Sequence, residues 1–234
     1  MSVERMVEES RGMIARAVLG LLGMMSAIAL LILLPAGTVR YWQAWAYLAA
    51  FGGSAVGITA YLVRFDRALL GRRLEAGPTA ERDARQKVFS ALANAGFMAL
   101  FVLAGLDRRF HWSSISSIAS VVADAMVVAG FAVVFLTFRA NSYTSATIEV
   151  AEQQPVVDRG PYAAVRHPMY AGAFLMLLAT PIALGSWWAL AGVLLMIVAI
   201  VARLLEEERY LGAHLDGYAD YRRRVRYRLI PYVW

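Results

Sequence analysis

Several residue types are absent or scarce in this chain, and each absence excludes a class of protein or site. The 234 residues include no cysteine, which excludes disulfide frameworks, thiolate metal sites and cysteine nucleophiles. Only 17% of the residues are charged and 60% are hydrophobic, whereas soluble domains average about 25% charged residues. This balance excludes a disordered tail, a disulfide-rich secreted domain and a soluble nucleic-acid-binding protein. The chain is therefore expected to lie in a membrane.

Long apolar runs hold most of the hydrophobic residues, and a membrane-spanning helix needs about 20 of them. The runs are 15–35, 42–63, 88–106, 117–138 and 168–205. Pro181, Gly185 and Ser186 interrupt the last run, so we predict a tight helical hairpin, 168–184 and 187–205. The sequence thus predicts an all-α polytopic bundle of about six transmembrane helices. We divide it into residues 1–138, an interfacial helix and four spans, and 139–234, a core with the hairpin and a cytoplasmic C-terminal segment.

Positively charged residues are distributed unevenly between the two sides of these spans. Of the 23 Lys and Arg residues, 20 lie in the N-terminal tail, the 64–87 and 139–167 loops and the C-terminal region. The positive-inside rule therefore predicts a multi-pass protein of the plasma membrane with both termini in the cytoplasm. This rule also explains the net charge of +6 without a nucleic-acid partner.

Few polar side chains lie within the predicted spans. Asn94 and Asp124 are both far from the membrane centre, and we expect them to be satisfied in helix packing rather than to serve transport. Gly53 and Gly57 form a pair of small residues that would let another helix approach closely. The chain has no internal repeat of the kind seen in many transporters.

A polar segment precedes the predicted hairpin, and Pro168 is suited to the first position of its first helix. The free N–H groups of that first turn would face the cytoplasm beside Arg166 and His167, where an anion can bind. Tyr170 lies three residues after His167 and shares its helix face. Membrane-boundary anchoring is the alternative role for these side chains.

Three consecutive carboxylates, Glu206, Glu207 and Glu208, follow the second hairpin helix, where cations are normally favoured. Either nearby cations compensate their negative charges, or the three side chains form a solvated cap on the helix. Because a tight hairpin places its two ends side by side, His167 and Tyr170 should lie near Arg203, Glu207 and Glu208. The expected result is a cytoplasmic pocket with an anion site, a cation site and aromatic rings. S-Adenosylmethionine has matching groups, but other nucleotides and lipid headgroups also fit.

The motifs around this hairpin resemble a known family. They are Gly160-Pro161-Tyr162, Arg166-His167-Pro168-Met169-Tyr170, Gly172, Arg203, Glu207-Glu208, Leu211, Tyr218, Tyr221, Val225 and Ile230-Pro231. Together they are similar to the isoprenylcysteine carboxyl methyltransferase family, whose bacterial members share this C-terminal core with phospholipid N-methyltransferases. The resemblance covers roughly residues 139–232. Two positions depart from the family pattern. One is Met169, where eukaryotic members usually have serine, and the other is Gly185-Ser186-Trp187 at the hairpin turn.

This resemblance implies that S-adenosylmethionine is the cofactor, and we predict no metal site. The implied cofactor-binding residues are Gln154, Pro155, Val156, Val157, Tyr162, His167, Pro168, Met169, Tyr170 and Glu207, and we add Glu208. Arg203 resembles the arginine near the methyl acceptor and is the predicted catalytic residue. The implied reaction is a direct in-line methyl transfer, in which positioning of the two reactants supplies most of the rate advantage.

The implied function is methylation of a lipophilic, membrane-borne acceptor, with isoprenylcysteine carboxylate-like O-methylation as the first expectation. A carboxylate is already ionised at pH 7 and needs no base, whereas an ammonium headgroup must first lose a proton. The alternatives are a phospholipid or small-thiol methyltransferase, an NADPH-dependent membrane reductase and a non-enzymatic transporter. Membrane lipids are the expected partners, and the sequence leaves the acceptor and the oligomeric state open.

Overall fold

The chain folds into helices that overlap each predicted apolar run, and the helices Val3–Ala36 and Leu190–His214 extend well beyond theirs. The computed structural model describes residues 3–74, 84–144 and 154–234, with side chains from residue 11 and, in the second range, from residue 88. The α-helices there are α1 (Val3–Ala36), α2 (Trp42–Phe65), α3 (Arg67–Leu74), α4 (Ala84–Phe110), α5 (Ser117–Ala140), α6 (Pro168–Ala183), α7 (Leu190–His214) and α8 (Tyr218–Arg224). A short 3-10 helix spans Gly160–Ala163. The described residues include no strand, and the predicted all-α membrane fold is confirmed.

Four helices, α1 (from Arg11), α2, α4 (from Val88) and α5, are long and apolar enough to cross a membrane. The apolar helix α6 is shorter, at 16 residues, and α7 carries charged residues in its second half. The number of six spans therefore stays a prediction. Helix α1 runs without a break from Val3, so the segment predicted as an interfacial helix is continuous with the first span.

Helices α6 and α7 form the predicted hairpin. The chain turns between Ala183 and Leu190, and Gly185 has a φ of +71° in this turn, a conformation that glycine adopts without steric cost. Helix α5 packs along α6, and α4 packs along α7. Each hairpin helix therefore has its own partner from the N-terminal part of the chain.

Pairs of glycines set the distance in both of these packings. A Cβ on Gly172 of α6 would lie 2.7 Å from the carbonyl oxygen of Gly130 on α5. A Cβ on Gly192 of α7 would lie 2.6 Å from the carbonyl oxygen of Gly96 on α4 and would overlap the backbone of Leu100. Small residues at such crossings allow helix backbones to approach closely. The two crossings thus fix the hairpin against the rest of the bundle.

A buried carboxylate holds the turn of the hairpin. Asp107, near the end of α4, accepts hydrogen bonds from the hydroxyl of Ser186 at 2.5 Å and from the hydroxyl of Ser113 at 2.6 Å. Its other oxygen accepts from the backbone N–H of Ser113 at 2.8 Å. The Ser186 hydroxyl also accepts from the N–H of Ala189, just before α7 begins. This network joins the α4–α5 connection to the α6–α7 turn.

The expectation for the two polar residues within the spans was wrong. Asn94 is exposed on α4 because it lies about 200° around the helix from Gly96, which faces α7. Asp124 has a buried Oδ1 atom with no hydrogen-bond partner.

Replacement of Gly192 by alanine is expected to destabilise the protein because the new methyl group would overlap the backbone of α4. Overpacking of this kind costs about 1–3 kcal/mol. The matched control is Gly53→Ala, since nothing lies within 4 Å of a Cβ at Gly53 and alanine is the better helix former. Thermal unfolding of the detergent-purified variants would measure the difference. Equal unfolding midpoints for the two variants would contradict the proposed role of the crossing.

Candidate active site at the base of the hairpin

A cavity of about 290 Å³ lies beside the start of α6 and the charged part of α7. It is formed by α3, the end of α5, the segment that enters α6, and helices α7 and α8. Its lining residues are Arg73, Asn141, Tyr143, Thr144, Gln154, Pro155, Val156, Val157, Tyr162, Arg166, His167, Met169, Tyr170, Arg203, Glu207, Leu211, Leu215, Tyr218 and Tyr221. The cavity therefore combines ionic, hydrogen-bonding and aromatic groups.

The two hairpin helices are joined at the cavity by a hydrogen bond. The hydroxyl of Tyr170 on α6 donates to Oε2 of Glu207 on α7 at 2.7 Å, and Tyr170 also interacts with the side chain of Arg203. The inference that a tight hairpin brings these residues together is confirmed.

Glu208 lies behind the cavity wall, at the centre of a buried ionic cluster. It accepts from Nε of Arg166 at 2.6 Å and from Nε of Arg228 at 2.8 Å. Burial alone would raise the pKa of Glu208, but the close imidazole of His167 and the guanidinium groups of Arg228 and Arg166 lower it well below its usual value. This cluster compensates one of the three consecutive carboxylates.

Arg166 connects this cluster to the C-terminal segment. Its Nη1 donates to the carbonyl oxygens of Val225 at 3.1 Å and Arg226 at 2.9 Å. The backbone N–H groups of Arg166 and His167 donate to the carbonyl oxygens of Tyr227 and Arg228, both at 2.9 Å. Both the backbone of the segment that enters α6 and the side chain of Arg166 are thus bound to the C-terminal segment.

His167 occupies the N-cap of α6, and Pro168 is the first residue of the helix, as predicted. The His167 ring is 4% exposed, and its Nε2 lies 3.3 Å from Glu208 Oε1 without the alignment of a hydrogen bond. The hydroxyl of Tyr218 is likewise buried with no partner. Buried polar atoms are normally satisfied, so the Tyr218 hydroxyl has hydrogen-bonding capacity that is available to a ligand in the cavity.

An apolar and aromatic wall faces these polar groups. Tyr162 and Val156 pack against Tyr218 and Tyr221, and the Tyr221 hydroxyl donates to the carbonyl oxygen of Tyr162 at 2.9 Å. The hydroxyl of Tyr162 accepts from the amide of Asn141 at 3.2 Å. Burial raises the pKa of Tyr162 to about 12, so this phenol is neutral at physiological pH.

The cavity includes most of the residues predicted from the sequence. Arg203 and nine of the eleven predicted cofactor-binding residues line it, while Pro168 and Glu208 do not. The sequence analysis did not assign Arg73, Asn141, Tyr143 or Thr144 to the site. The described residues hold no cluster of three or more His, Asp or Glu side chains suited to a metal.

The depressed pKa of Glu208 generates a pH-dependent prediction. Because its folded-state pKa lies below the unfolded value, its stabilising contribution is present above about pH 4.5 and is lost as the pH falls. Glu208→Gln should therefore lower stability at pH 7 by about 3–5 kcal/mol, as expected when a buried ion pair loses one partner. The difference between the unfolding midpoints of the wild type and the variant should begin to narrow below about pH 4.5 and should disappear only as the pH approaches the depressed folded-state pKa of Glu208.

The control for this experiment is Asp220→Asn, which removes a carboxylate that pairs with Arg223 in an exposed position. We expect little change, because exposed ion pairs are screened by solvent. A Glu208→Gln difference that stays as large at the lowest pH at which the wild type is folded as it is at pH 7 would contradict the ionic role.

The hairpin lies within a segment that is similar to known proteins. Residues 118–215 match the model of the phospholipid methyltransferase family. A segment of 106 residues is 34% identical to methanethiol S-methyltransferase from Crocosphaera subtropica, and it covers 44% of this chain and 37% of that protein. The chain thus spans little more than a third of the length of this curated relative.

A solved structure extends the likeness to nearly the whole chain. The eukaryotic intramembrane Ras methyltransferase ICMT, an isoprenylcysteine carboxyl methyltransferase, superposes with a TM-score of 0.52 and 18% identity. The match covers 90% of this chain and 74% of that one. Residues 118–215 are therefore similar to the phospholipid methyltransferase family, and the chain has the membrane fold of isoprenylcysteine carboxyl methyltransferase, as the sequence resemblance predicted.

Proposed function

We propose that this protein is an integral membrane methyltransferase that binds S-adenosylmethionine and methylates a lipophilic acceptor taken from the membrane. The observation that carries the proposal is the cavity at the base of the hairpin, where a buried imidazole, a carboxylate and an aromatic wall surround one space. The matched family segment contains the same hairpin. Fold and sequence likeness thus support the same reaction class.

The chemistry of the lining suits the groups of S-adenosylmethionine. We assign its carboxylate to the first turn of α6, which begins at Pro168, and to the neighbouring His167, because helix N-termini favour anions. We assign its ammonium group and ribose hydroxyls to Glu207, whose Oε2 is already held by Tyr170. The adenine ring would pack on the aromatic wall, and when bound the cofactor supplies an electrophilic methyl group on a sulfonium.

Four consecutive residues complete the proposed cofactor site from outside the bundle. They are Gln154, Pro155, Val156 and Val157, and all of them line the cavity. Val156 packs against the aromatic wall, so this segment is suited to exclude water from a bound cofactor. Met169 would contribute an apolar surface at the first turn of α6.

Arg203 is the proposed acceptor-orienting residue. It lines the cavity and interacts with Tyr170, which places its guanidinium group on the hairpin side of the space. An arginine binds a carboxylate with paired hydrogen bonds and would hold an anionic acceptor in line with the methyl group. The orienting role follows from position and charge and requires no proton transfer by Arg203.

An isoprenylcysteine carboxylate-like group is the first acceptor that we propose, since the fold likeness extends over most of the chain. A small thiol is the second candidate because the relative at 34% identity is a methanethiol S-methyltransferase. By the positive-inside rule, the cavity would open to the cytoplasm together with both termini, in the plasma membrane. Residues 139–234 would form the catalytic core, and residues 1–138 would complete the membrane bundle.

Calorimetry of S-adenosylmethionine binding to the detergent-purified protein tests this proposal. We expect binding by the wild type and at least tenfold weaker binding by His167→Ala and Glu207→Gln, because each removes a partner of a charged group and a tenfold loss corresponds to about 1.4 kcal/mol. The matched controls are His214→Ala and Asp220→Asn, which change exposed residues outside the cavity. The controls should bind like the wild type.

Binding of NADPH instead of S-adenosylmethionine by the folded wild type would overturn the methyltransferase proposal in favour of a reductase. Binding of neither cofactor would overturn it in favour of a non-enzymatic membrane protein. Equal losses in the control variants would show that the measured binding does not occur at the hairpin.

A further inference from the structure

A second cavity, of about 270 Å³, lies between the 3-10 helix and the C-terminal segment. Ala163 and Ala164 line it on the first side, and Arg224, Arg226 and Tyr232 line it on the second. The described residues around it include none that line the candidate active site. We call this space the C-terminal cavity, and it is separate from the site proposed for the cofactor.

The C-terminal cavity lies next to the end of a membrane-spanning helix. Helix α5, which is long and apolar enough to cross a membrane, ends at Ala140. The 3-10 helix packs on this end, since a Cβ on Gly160 would lie 3.4 Å from the Cβ of Ala140. The C-terminal segment is held at the start of α6, where the N–H of His167 donates to the carbonyl oxygen of Arg228 at 2.9 Å. Both walls of the cavity are therefore attached to helix ends at one side of the bundle.

The wall from the C-terminal segment is basic. Residues 222–228 include five arginines and no acidic residue, and the side chains of Arg224 and Arg226 are exposed at the cavity. Arg224 pairs with Asp158 at 2.9 Å, with side chains that are 63% and 47% exposed. Exposed pairs of this kind contribute little, so the guanidinium group can also bind an incoming anion. The planar donors of arginine match the oxygens of a phosphate group.

Exposed apolar and aromatic side chains follow these arginines in the chain. Four of them are between 37% and 88% exposed, namely Ile230, Tyr232, Val233 and Trp234. Tyr232 belongs to both features, because it lines the cavity and its ring centre lies 5.2 Å from that of Tyr227. Aromatic and apolar side chains beside arginines are typical of protein surfaces that lie among lipid headgroups.

We propose that the C-terminal cavity binds the headgroup of an anionic phospholipid, with Arg224 and Arg226 on its phosphodiester and Tyr232 against its glycerol and acyl region. A basic segment is attracted to a negatively charged membrane surface, and the cavity gives this attraction a defined position. A soluble phosphate ester would bind the arginines but would leave the apolar side chains in water, so a lipid fits both features. This inference goes beyond the proposed function and does not depend on methyl transfer.

The side chains of the cavity can be changed without removing the contacts that support the candidate active site. Arg226 contributes to those contacts through its carbonyl oxygen, which accepts from Nη1 of Arg166. A substitution at Arg226 keeps this carbonyl group. Arg224 is exposed, and its printed ion pair is with Asp158 rather than with the buried cluster. Variants of these two arginines therefore test the cavity itself.

Phosphatidylglycerol with a fluorescent acyl chain is the probe, and its binding to the detergent-purified full chain would be measured by fluorescence anisotropy. Three unlabelled competitors separate charge from the lipid character of the ligand: phosphatidylglycerol, phosphatidylcholine with the same acyl chains, and glycerophosphoglycerol, which has the same headgroup without acyl chains. We expect phosphatidylglycerol to compete about tenfold or more better than either of the others. Added salt should weaken its binding, because it screens exposed charges.

Paired substitutions locate the binding. Arg224→Gln combined with Arg226→Gln should weaken phosphatidylglycerol binding about tenfold or more, since two cationic contacts are lost. The matched control is Arg222→Gln combined with Arg223→Gln, which removes the same charge from exposed positions that do not line the cavity and should retain most of the affinity. Tyr232→Asn should also weaken binding, and asparagine tolerates the φ of +64° at this position.

The unfolding midpoint of each sample shows whether the variant is folded, and Arg226→Gln alone keeps the test decisive if the double variant is not. Equal competition by phosphatidylcholine on the wild type would overturn the proposal. Equal competition by glycerophosphoglycerol would overturn it in favour of a soluble phosphodiester ligand. Equal losses in the cavity pair and the control pair would overturn it in favour of a diffuse basic surface. Selection of phosphatidylglycerol by a wild type that binds no S-adenosylmethionine would refute the proposed function and leave the lipid site standing.

Discussion

The buried carboxylate of Glu208 is the interaction on which the candidate site depends. It binds Arg166, immediately before α6, and Arg228, in the C-terminal segment, and so ties α7 to two segments that are distant in sequence. Arg166 in turn holds the carbonyl groups of Val225 and Arg226. A buried anion of this kind is tolerated only when its partners are in place. The wall of the cavity is therefore fixed as one ionic unit.

The opposite end of the hairpin is fixed by a second buried carboxylate, Asp107, through Ser186 and Ser113. Between the two ends, the close crossings at Gly172 and Gly192 set the distance of the hairpin helices from α5 and α4. These three constraints place Tyr170 and Glu207 within hydrogen-bond distance. The site is thus built on rigid helices, which suits a reaction that depends on positioning.

Local patterns in the sequence predicted much of the fold and of the site. The hairpin follows from an apolar run that is too long for one span, and the start of α6 follows from Pro168. The sequence predicted that Glu207 and Glu208 lie near the site, but it assigned both to the cofactor. Successive residues differ by about 100° around a helix, so only one of two neighbouring carboxylates can line the cavity. Glu207 lines the cavity, and Glu208 faces the cations behind its wall. To tell the two apart, one must know how α7 is rotated about its axis, which the sequence does not give.

The sequence by itself determined that this is an all-α membrane protein, because hydrophobic length and charge distribution act locally along the chain. It also predicted the cavity with ionic and aromatic groups that lies where the hairpin ends meet. Only the tertiary structure decided that Asp107 holds the turn and that Arg73 reaches the cavity. Both residues act across contacts between helices far apart in sequence, and neither the spacing nor the type of an isolated residue encodes which helices will pack together.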